Sequence, residues 1–228
     1  MLENIGFRVK KDFNRLPKEL VEQFKDFPAP NIADTMNRFF CVHPDIKMIN
    51  QIEGVKLTGS ALTVKTRVAD NLMVYKAIDI AQPGDVIVID AGGDMTHSIL
   101  GEIMVNIAEK RGIAGYIVNG CIRDRDALEK MSFPVFAKGA NPKGPYKDGP
   151  GEVNFPICCG GVVINPGDVV VGDKDGIVVI PLSMAKLTLD RVKEVSEKEK
   201  KIFQLIDEGT FKVDWIDDKL NEKGCQFI

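Results

Sequence analysis

Residues 83–124 read PGDVIVIDAGGDMTHSILGEIMVNIAEKRGIAGYIVNGCIRD, and this stretch decides the fold. A compact apolar run from Asp85 to Asp90 is followed by a segment from roughly His97 to Arg111 with apolar residues at helical spacing. A second apolar run, Tyr116 to Asn119, comes next. Short apolar runs bounded by turn residues are typical of buried strands. The strand–helix–strand order predicts parallel strands with right-handed crossovers, and hence an α/β fold.

The same alternation continues on both sides of this stretch. Upstream, a strand begins near Val55 and a helix covers Asn71 to Ile80. Downstream, Asp126 to Met131 has the composition of a short helix, and Pro134 to Ala137 has that of a short strand. The valine- and isoleucine-rich segments between Ile157 and Ile180 predict further strands joined by tight turns.

Helices are predicted at both ends of the chain. Residues 17–39 indicate two short helices separated by prolines, because proline removes a backbone donor and breaks a helix. The charged segment from Ser183 to about Glu208 carries an apolar stripe and predicts one long helix. The tail from Phe211 contains Trp215, and aromatic anchors favour interfaces, so we expect a docking segment there. The sequence thus predicts one domain over residues 1–228, with its core at about 31–181 and its C-terminal helix and tail at about 183–228.

One turn sequence occurs twice. Pro83-Gly-Asp-Val86 and Pro166-Gly-Asp-Val169 each precede a valine-rich segment. Proline presets its own φ and glycine supplies a positive φ at no steric cost. We therefore predict the same tight turn at the start of two strands.

A long loop is predicted over residues 141–154, which are rich in proline and glycine. Loops of this length inside compact domains are often functional. We expect this loop to supply some of the residues that select the substrate.

Composition and charge exclude several classes of function. The chain has 30 basic and 33 acidic residues, giving a formal net charge of −3, which disfavours nucleic-acid or anionic-membrane binding. No apolar run approaches the ~20 residues of a spanning helix, and the N-terminal residues lack the apolar core of a signal peptide. Five cysteines without CxxC spacing argue against a disulfide framework or a zinc knuckle. We expect a cytoplasmic protein with neither nucleic acid nor membrane as partner.

A first candidate site is the segment Gly92-Gly-Asp-Met-Thr-His-Ser98. A glycine turn that leads into a helix points backbone N–H groups at anions. The segment resembles in part the phosphohistidine loop of phosphotransfer swivelling domains, which would make His97 a phosphate carrier. The alternative is that His97 is an ordinary polar residue with satisfied hydrogen bonds.

The second candidate site is the dipeptide Arg123–Asp124, with Glu102 placed 20 intervening residues upstream. A carboxylate can hold a hard divalent cation, and a guanidinium can bind an oxyanion. Together these groups suit chemistry on a 2-oxo acid. The alternative is a solvated turn or a surface ion pair, which contributes little. Cys121 could act as a nucleophile, although cysteine in apolar surroundings is commonly a core residue.

Short segments over most of the chain carry a family resemblance. They are Asn31-Ile-Ala-Asp-Thr35, Gly59-Ser-Ala61, Pro83-Gly-Asp85, Gly120-Cys-Ile-Arg-Asp124, Phe133-Pro-Val-Phe136, Gly160-Gly161, Pro166-Gly-Asp-Val169 and Asp173-Lys-Asp-Gly-Ile-Val-Val-Ile-Pro181. In order and spacing they resemble the RraA-like family, which includes the class II 4-hydroxy-4-methyl-2-oxoglutarate (4-carboxy-4-hydroxy-2-oxoadipate) aldolases.

The resemblance implies a fold and a set of roles. The fold is a ββα-sandwich swivelling domain with N- and C-terminal helices, assembled as a homotrimer or as a hexamer made of two trimers. The substrate is a 2-oxo acid and the cofactor is Mg²⁺ or Mn²⁺. By resemblance, the backbone amides of Gly101, Glu102, Ile103 and Met104 hold the substrate carboxylate, Arg123 binds the keto oxygen, Asp124 binds the metal, and Glu199 reaches a neighbouring subunit's site.

The expected reaction is retro-aldol cleavage of 4-hydroxy-2-oxo acids to pyruvate, with oxaloacetate decarboxylation as a further activity. Glu102 would move a proton through water. The chain departs from the aldolase pattern here, because the aldolases carry aspartate where it has Glu102. It also has Ala127 where the family often has an acid. The ribonuclease-regulating branch usually has glycine at the position of Glu102, and a non-catalytic interaction protein of that type is the alternative.

Overall fold

Twelve β-strands and seven α-helices form within residues 4–228, the part of the chain that this computed structural model describes. In chain order they are β1 (Phe7–Val9), α1 (Lys18–Glu22), α2 (Ala29–Thr35), β2 (Lys47–Met48), β3 (Leu57–Thr66), α3 (Leu72–Ile80), β4 (Asp85–Asp90), β5 (Ser98–Leu100), α4 (Glu102–Lys110), β6 (Gly115–Ile122), α5 (Arg125–Leu128), β7 (Val135–Ala140), β8 (Gly151–Val153), β9 (Ile157–Cys159), β10 (Val162–Ile164), β11 (Val169–Asp173), β12 (Gly176–Ile180), α6 (Ala185–Asp207) and α7 (Trp215–Glu222).

Two compact units divide the described chain, the first ending at Val192 and the second comprising Lys193–Ile228. The first unit contains every strand. The second contains the later part of α6 and all of α7, and its exposed apolar side chains include Phe203 and Trp215. Across residues 4–228, no helix combines the length and apolar character needed to cross a membrane.

Four parallel strands, β3, β4, β6 and β7, lie side by side in a ten-stranded sheet. Lys65, Asp90 and Asn119 are register partners where β3, β4 and β6 approach their carboxyl ends. This arrangement confirms the α/β class and the parallel strands predicted from the alternating pattern. Loops that leave this edge are the usual place for a ligand site in α/β proteins.

Apolar layers cover both faces of the sheet because side chains alternate along each strand. Ile87 and Ile89 of β4 pack into the layer with α3 and α4, whereas Val86 and Val88 pack toward the β9–β10 hairpin. A third cluster joins α1, α2 and the start of α6 to β11 and β12. The helices α1 and α2 confirm two short helices within residues 17–39, and a 3₁₀ turn, Gln23–Asp26, lies between them. Pro30 does not separate the helices as predicted, because it lies in the first turn of α2, where proline is tolerated.

The helix predicted from His97 to Arg111 is wrong at its N-terminus. Residues Ser98–Leu100 instead form β5, a short strand that pairs in parallel with β6. The backbone of Gly101 is extended, with φ −154° and ψ −166°, so the helix begins only at Glu102. The apolar spacing of this segment does not distinguish three residues of buried strand from a helical turn.

The two Pro-Gly-Asp turns share one geometry, as predicted. Gly84 and Gly167 both have φ +92°. The carboxylates that follow, Asp85 and Asp168, accept the backbone N–H of the residue three positions earlier, each at 2.8 Å. Asp85 also forms a two-contact ion pair with Arg15, at 2.8 and 2.7 Å. The repeated turn therefore fixes the entry into β4 and β11.

Candidate active site

The candidate site lies where β5 and β6 end side by side. Leu100 is the register partner of Ile122, and the backbone N–H of Arg123 donates to the carbonyl oxygen of Leu100 at 2.9 Å. The residues that follow the two strands, Gly101 and Arg123, are therefore neighbours in space. Sheet pairing thus brings together two segments that are 22 positions apart in the sequence.

Asp124 holds the start of α4 through its side chain. Its Oδ2 accepts the backbone N–H of Glu102 at 3.0 Å and lies 3.6 Å from Nε of Arg123. Asp124 itself adopts a left-handed conformation, with φ +58° and ψ +37°, just before α5. An anion at a helix N-terminus is favoured by the unpaired N–H groups and by the helix dipole. The carboxylate is therefore held in a fixed position.

Glycine is required at position 101 by the close approach of this loop. A Cβ atom there would overlap Oδ2 of Asp124 and lie 2.8 Å from Cγ of Arg123. The backbone angles of Gly101 are accessible to any residue, so the restriction comes from space alone. Any side chain at this position would displace the Arg–Asp pair.

The amides of the predicted substrate-binding stretch have different partners. The N–H of Glu102 donates to Asp124, and that of Met104 donates to the carbonyl of Gly101 at 3.1 Å. The N–H of Ile103 has no acceptor within residues 4–228. The side chain of Glu102 is exposed, whereas Met104 is buried. The structure therefore leaves one amide of this helix start available to a ligand carboxylate.

A small cavity of about 100 Å³ opens beside this helix start. Arg123 lies on one wall, and Gly144, Pro145 and Lys147 lie on another. These three residues belong to the loop predicted over residues 141–154, which ends earlier than predicted because Gly151–Val153 form β8. Asn71 and Tyr75 of the α3 region, which the sequence did not single out, complete the polar lining. The apolar remainder of the lining is Ile99, Leu100, Ile103 and Met104, with Gly101 at the helix start.

A larger cavity of about 450 Å³ lies where β4 begins, lined by Gly84 and Asp85 among others. Its buried acid, Asp85, is already paired with Arg15. That commitment makes Asp85 a structural residue. In the smaller cavity, the guanidinium of Arg123 lies 3.6 Å from the Asp124 carboxylate and donates no hydrogen bond within the described residues, which makes this cavity the better candidate for chemistry.

A divalent cation fits this site through a single protein carboxylate. No group of three or more His, Cys, Asp or Glu side chains within residues 4–228 is arranged to hold a metal ion. Oδ1 of Asp124, however, has no hydrogen-bond donor within the same residues, and the side chain is 39% exposed. Mg²⁺ prefers oxygen ligands and retains several waters, so one carboxylate with a chelating substrate is a sufficient donor set.

The loop at His97 does not form the anion site that its sequence suggested, because no helix begins there. The backbone N–H of His97 donates to Asp94, and its Nδ1 lies 3.0 Å from the Thr96 hydroxyl. Burial alone would raise the pKa of Asp94, but hydrogen bonds from Thr96 and His97 together lower it. Nε2 of His97 is buried without a partner in the described chain. The imidazole is therefore held by contacts within its own loop, and the ring of Tyr146 lies 6.0 Å from it.

Cys121 has the environment of a core residue. Its side chain is buried, and its sulfur lies 3.5 Å from that of Met95. Burial and the nearby Asp94 raise the pKa of the Cys121 thiol. Because the thiolate is the nucleophilic form, this environment opposes a nucleophilic role.

Glu199 lies on α6 within the second unit. Its contribution to a neighbouring subunit's site stays a prediction. The same holds for the homotrimeric or hexameric assembly and for the cytoplasmic location.

The chain is an α/β sandwich in which the Arg123–Asp124 loop contacts the start of α4, directly after Gly101. Residues 29–179 match the RraA-like family, described as Aldolase/RraA. This match covers more than half of the chain, and the chain belongs to the RraA-like family.

Similar proteins carry two kinds of name. A Halalkalibacterium halodurans protein named "Putative 4-hydroxy-4-methyl-2-oxoglutarate aldolase" is 42% identical over 77% of this chain and 83% of its own. A solved Pseudomonas syringae structure of an uncharacterized protein superposes with a TM-score of 0.78 at 25% identity, covering 88% and 93% of the two chains. The structure of the RNA-processing inhibitor RraA from Thermus thermophilis gives a TM-score of 0.63 at 27% identity, over 68% and 93%.

Proposed function

We propose that this protein is a divalent-metal-dependent lyase that cleaves 4-hydroxy-2-oxo acids to pyruvate. The observation that carries the proposal is the hydrogen bond from the N-terminus of α4 to Asp124. The guanidinium of Arg123 lies beside this carboxylate and lines a cavity. The relatives named as aldolases support the same class of reaction. Oxaloacetate decarboxylation is proposed as a further activity of the same site.

The guanidinium of Arg123 is the group proposed to stabilise the negative charge that develops during the reaction. As the C3–C4 bond of the substrate breaks, negative charge accumulates on the C2 oxygen. Arg123 lines the cavity with its side chain 44% exposed, and it can donate hydrogen bonds to that oxygen. Removing one such donor in comparable sites costs about 3 kcal/mol of transition-state stabilisation.

Asp124 is the residue that would hold Mg²⁺ or Mn²⁺, through Oδ1. When bound, such a cation supplies Lewis acidity to a chelating 2-oxo acid. Asp124 is kept in position by the N–H of Glu102, so its orientation does not depend on the ligand. The open N–H of Ile103 can donate a hydrogen bond to the substrate carboxylate, in agreement with the preference of helix N-termini for anions.

Glu102 is proposed to relay the proton that leaves the C4 hydroxyl. The hydroxyl at C4 must lose a proton as the bond breaks, and C3 of the pyruvate fragment must gain one. The exposed carboxylate of Glu102 stands at the first position of α4, beside the cavity. It can relay the proton through water, although it is one methylene longer than the aspartate of the aldolases.

The test is pyruvate release from 4-hydroxy-4-methyl-2-oxoglutarate and from oxaloacetate, with Mg²⁺ or Mn²⁺ and with EDTA. We expect metal-stimulated pyruvate release that Arg123→Ala abolishes while the protein stays folded. Equal rates in the wild-type protein and in Arg123→Ala would refute the proposal.

A non-catalytic ribonuclease regulator is the second candidate, favoured by the structural similarity to an RNA-processing inhibitor. Glu102 argues against it, because that branch usually has glycine at this position. Inhibition of a purified ribonuclease, together with no metal-stimulated turnover, would favour this second candidate.

A further inference from the structure

Asn71 is a buried residue on the wall of the candidate active site. Only 3% of its surface is exposed, and it lines the cavity that Arg123 and Gly101 also line. Its backbone N–H donates to the carbonyl of Tyr146 at 3.0 Å, which fixes the residue against the loop on the facing wall. The position of its side chain is therefore set by two separate parts of the site.

The two polar atoms of the Asn71 side-chain amide differ in their hydrogen bonding. Nδ2 donates to the carbonyl oxygen of Ile99 at 2.8 Å and lies 3.4 Å from the sulfur of Met104. The contact with a carbonyl fixes which end of the amide is the donor. Oδ1 is buried and has no hydrogen-bond partner within the described residues. An unpaired buried acceptor is unfavourable, so its place beside a cavity points to a donor on a ligand.

The chemistry of the substrate identifies that donor, if the proposed function is correct. In a 4-hydroxy-2-oxo acid at neutral pH, the carboxylates and the keto oxygen are acceptors only. The hydroxyl at C4 is the one group that can donate. It is also the group whose oxygen becomes a carbonyl when the C3–C4 bond breaks.

We propose that Oδ1 of Asn71 accepts a hydrogen bond from the C4 hydroxyl and selects 4-hydroxy acids among 2-oxo acids. The hydroxyl has one proton, which it shares between Oδ1 and the water through which Glu102 removes it as the C3–C4 bond breaks. Oδ1 therefore positions the hydroxyl and takes up no proton itself. Oδ1 is shielded from solvent in this structure, so the hydroxyl reaches it only after the residues packed around it move.

The experiment compares one reaction that uses the hydroxyl with others that do not. Asn71→Leu would be assayed, with Mg²⁺, for cleavage of 4-hydroxy-4-methyl-2-oxoglutarate and for decarboxylation of oxaloacetate. Deuterium exchange at C3 of pyruvate provides a second hydroxyl-free reaction. Comparing rates within one preparation cancels any loss of folded protein.

The chain offers a matched control in Asn154. It is 1% exposed, its Nδ2 also donates to a backbone carbonyl at 2.8 Å, and its Oδ1 is also buried without a partner in the described chain. Asn154 does not line the cavity. Asn154→Leu therefore removes an equivalent structural contact without touching the site. It also places leucine at φ +61°, which adds strain, so it sets an upper limit to the purely structural effect.

We expect Asn71→Leu to lower kcat/KM for the hydroxy acid roughly 10-fold more than it lowers the hydroxyl-free reactions, as for a lost hydrogen bond to a buried group. Asn154→Leu should lower all reactions alike. If Asn71→Leu does not fold, Asn71→Ser removes both polar atoms of the amide without adding apolar bulk, and the same ratio is expected.

Two results would overturn the inference, and they are distinguishable. If the wild-type protein cleaves the hydroxy acid but the ratio of activities is unchanged in the Asn71 variants, the role of Asn71 is wrong and the proposed function stands. If the wild-type protein releases pyruvate from neither substrate and exchanges no C3 protons, both fail.

Discussion

Oδ2 of Asp124 accepts a hydrogen bond from the backbone N–H of Glu102 at 3.0 Å, although the two residues are 22 positions apart. The carboxylate proposed to hold the metal also caps the helix whose amides are proposed to hold the substrate. Metal binding, helix start and substrate position are therefore coupled through one side chain. The first prediction separates these roles.

Asp124→Asn and Asp124→Ala should affect stability and activity differently. Asparagine retains an acceptor for the N–H of Glu102 and tolerates the left-handed backbone of this position, but it is a poor ligand for Mg²⁺. We expect both variants to lose about 10²-fold or more in metal-dependent kcat/KM, and only alanine to lose about 1–2 kcal/mol of stability. Pyruvate assays and urea unfolding measure the two effects. Full activity in Asp124→Asn would contradict the metal role.

Gly101→Ala should inactivate the site by displacing the Arg–Asp pair, since its Cβ would overlap Oδ2 of Asp124. Gly139→Ala is the control, because its Cβ would meet only the flexible methyl end of Met95, at 2.8 Å. We expect about 10²-fold loss of pyruvate release in Gly101→Ala, as misplacement of catalytic groups by an ångström can cause. Comparable activity in the two variants would show that the close approach is unimportant.

Arg123→Lys should not restore function. Lysine keeps the charge but lacks the planar, forked donors of a guanidinium. We expect kcat to fall about 10²- to 10³-fold, with a melting temperature close to that of the wild-type protein because the side chain is partly exposed. Steady-state kinetics and thermal unfolding test this. A wild-type kcat in Arg123→Lys would contradict this, because it would show that the positive charge alone is sufficient.

Lys147 should recognise a second carboxylate. It lines the cavity, and no carboxylate within the described residues pairs with it. We expect Lys147→Ala to raise KM roughly 10-fold for 4-hydroxy-4-methyl-2-oxoglutarate but not for 4-hydroxy-2-oxopentanoate, which has one carboxylate. Lys143→Ala, in the same loop but outside the cavity lining, is the control. An equal rise in KM for both substrates would argue against this contact.

Cys121 should prove dispensable. Burial and Asp94 raise its thiol pKa, so less thiolate is present at neutral pH than in an ordinary cysteine. We expect iodoacetamide to label the exposed Cys158 and Cys225 in the native protein and Cys121 only after unfolding, as read by mass spectrometry. Cys121→Ala should keep activity within about threefold of the wild type, since buried structural cysteines are inert. Loss of activity as large as in Arg123→Ala would revive the nucleophile hypothesis.

The sequence predicted the sheet and the Arg–Asp loop, because buried strands and turn residues leave local patterns. Gly84 and Gly167 adopt the positive φ that their turns require. The strand Ser98–Leu100 was missed because two apolar residues before a glycine fit a helix equally well. That error moved the start of α4 and gave His97 a helix N-terminus that it does not have.

The polar wall of the cavity could not be read from the sequence. In the sequence, Asn71 appears only as the first residue of a predicted helix. Its proposed role depends on Ile99 and Met104, whose carbonyl oxygen and sulfur contact Nδ2 and leave only Oδ1 for a ligand. Lys147 lies in a loop whose path is fixed by backbone bonds such as that from Tyr146 to Ala69, at 2.7 Å. Contacts of this kind are set by tertiary structure, and residue type alone does not indicate them.

The central claim is that Asp124 holds the divalent cation, and Mn²⁺ binding measured by electron paramagnetic resonance tests it most directly. The free Mn²⁺ signal would be titrated with wild-type protein and with Asp124→Asn, each with oxalate to mimic the enolate of pyruvate. The account predicts that wild-type protein depletes the signal and that Asp124→Asn binds at least about 10-fold more weakly. Equal depletion by both proteins would contradict it.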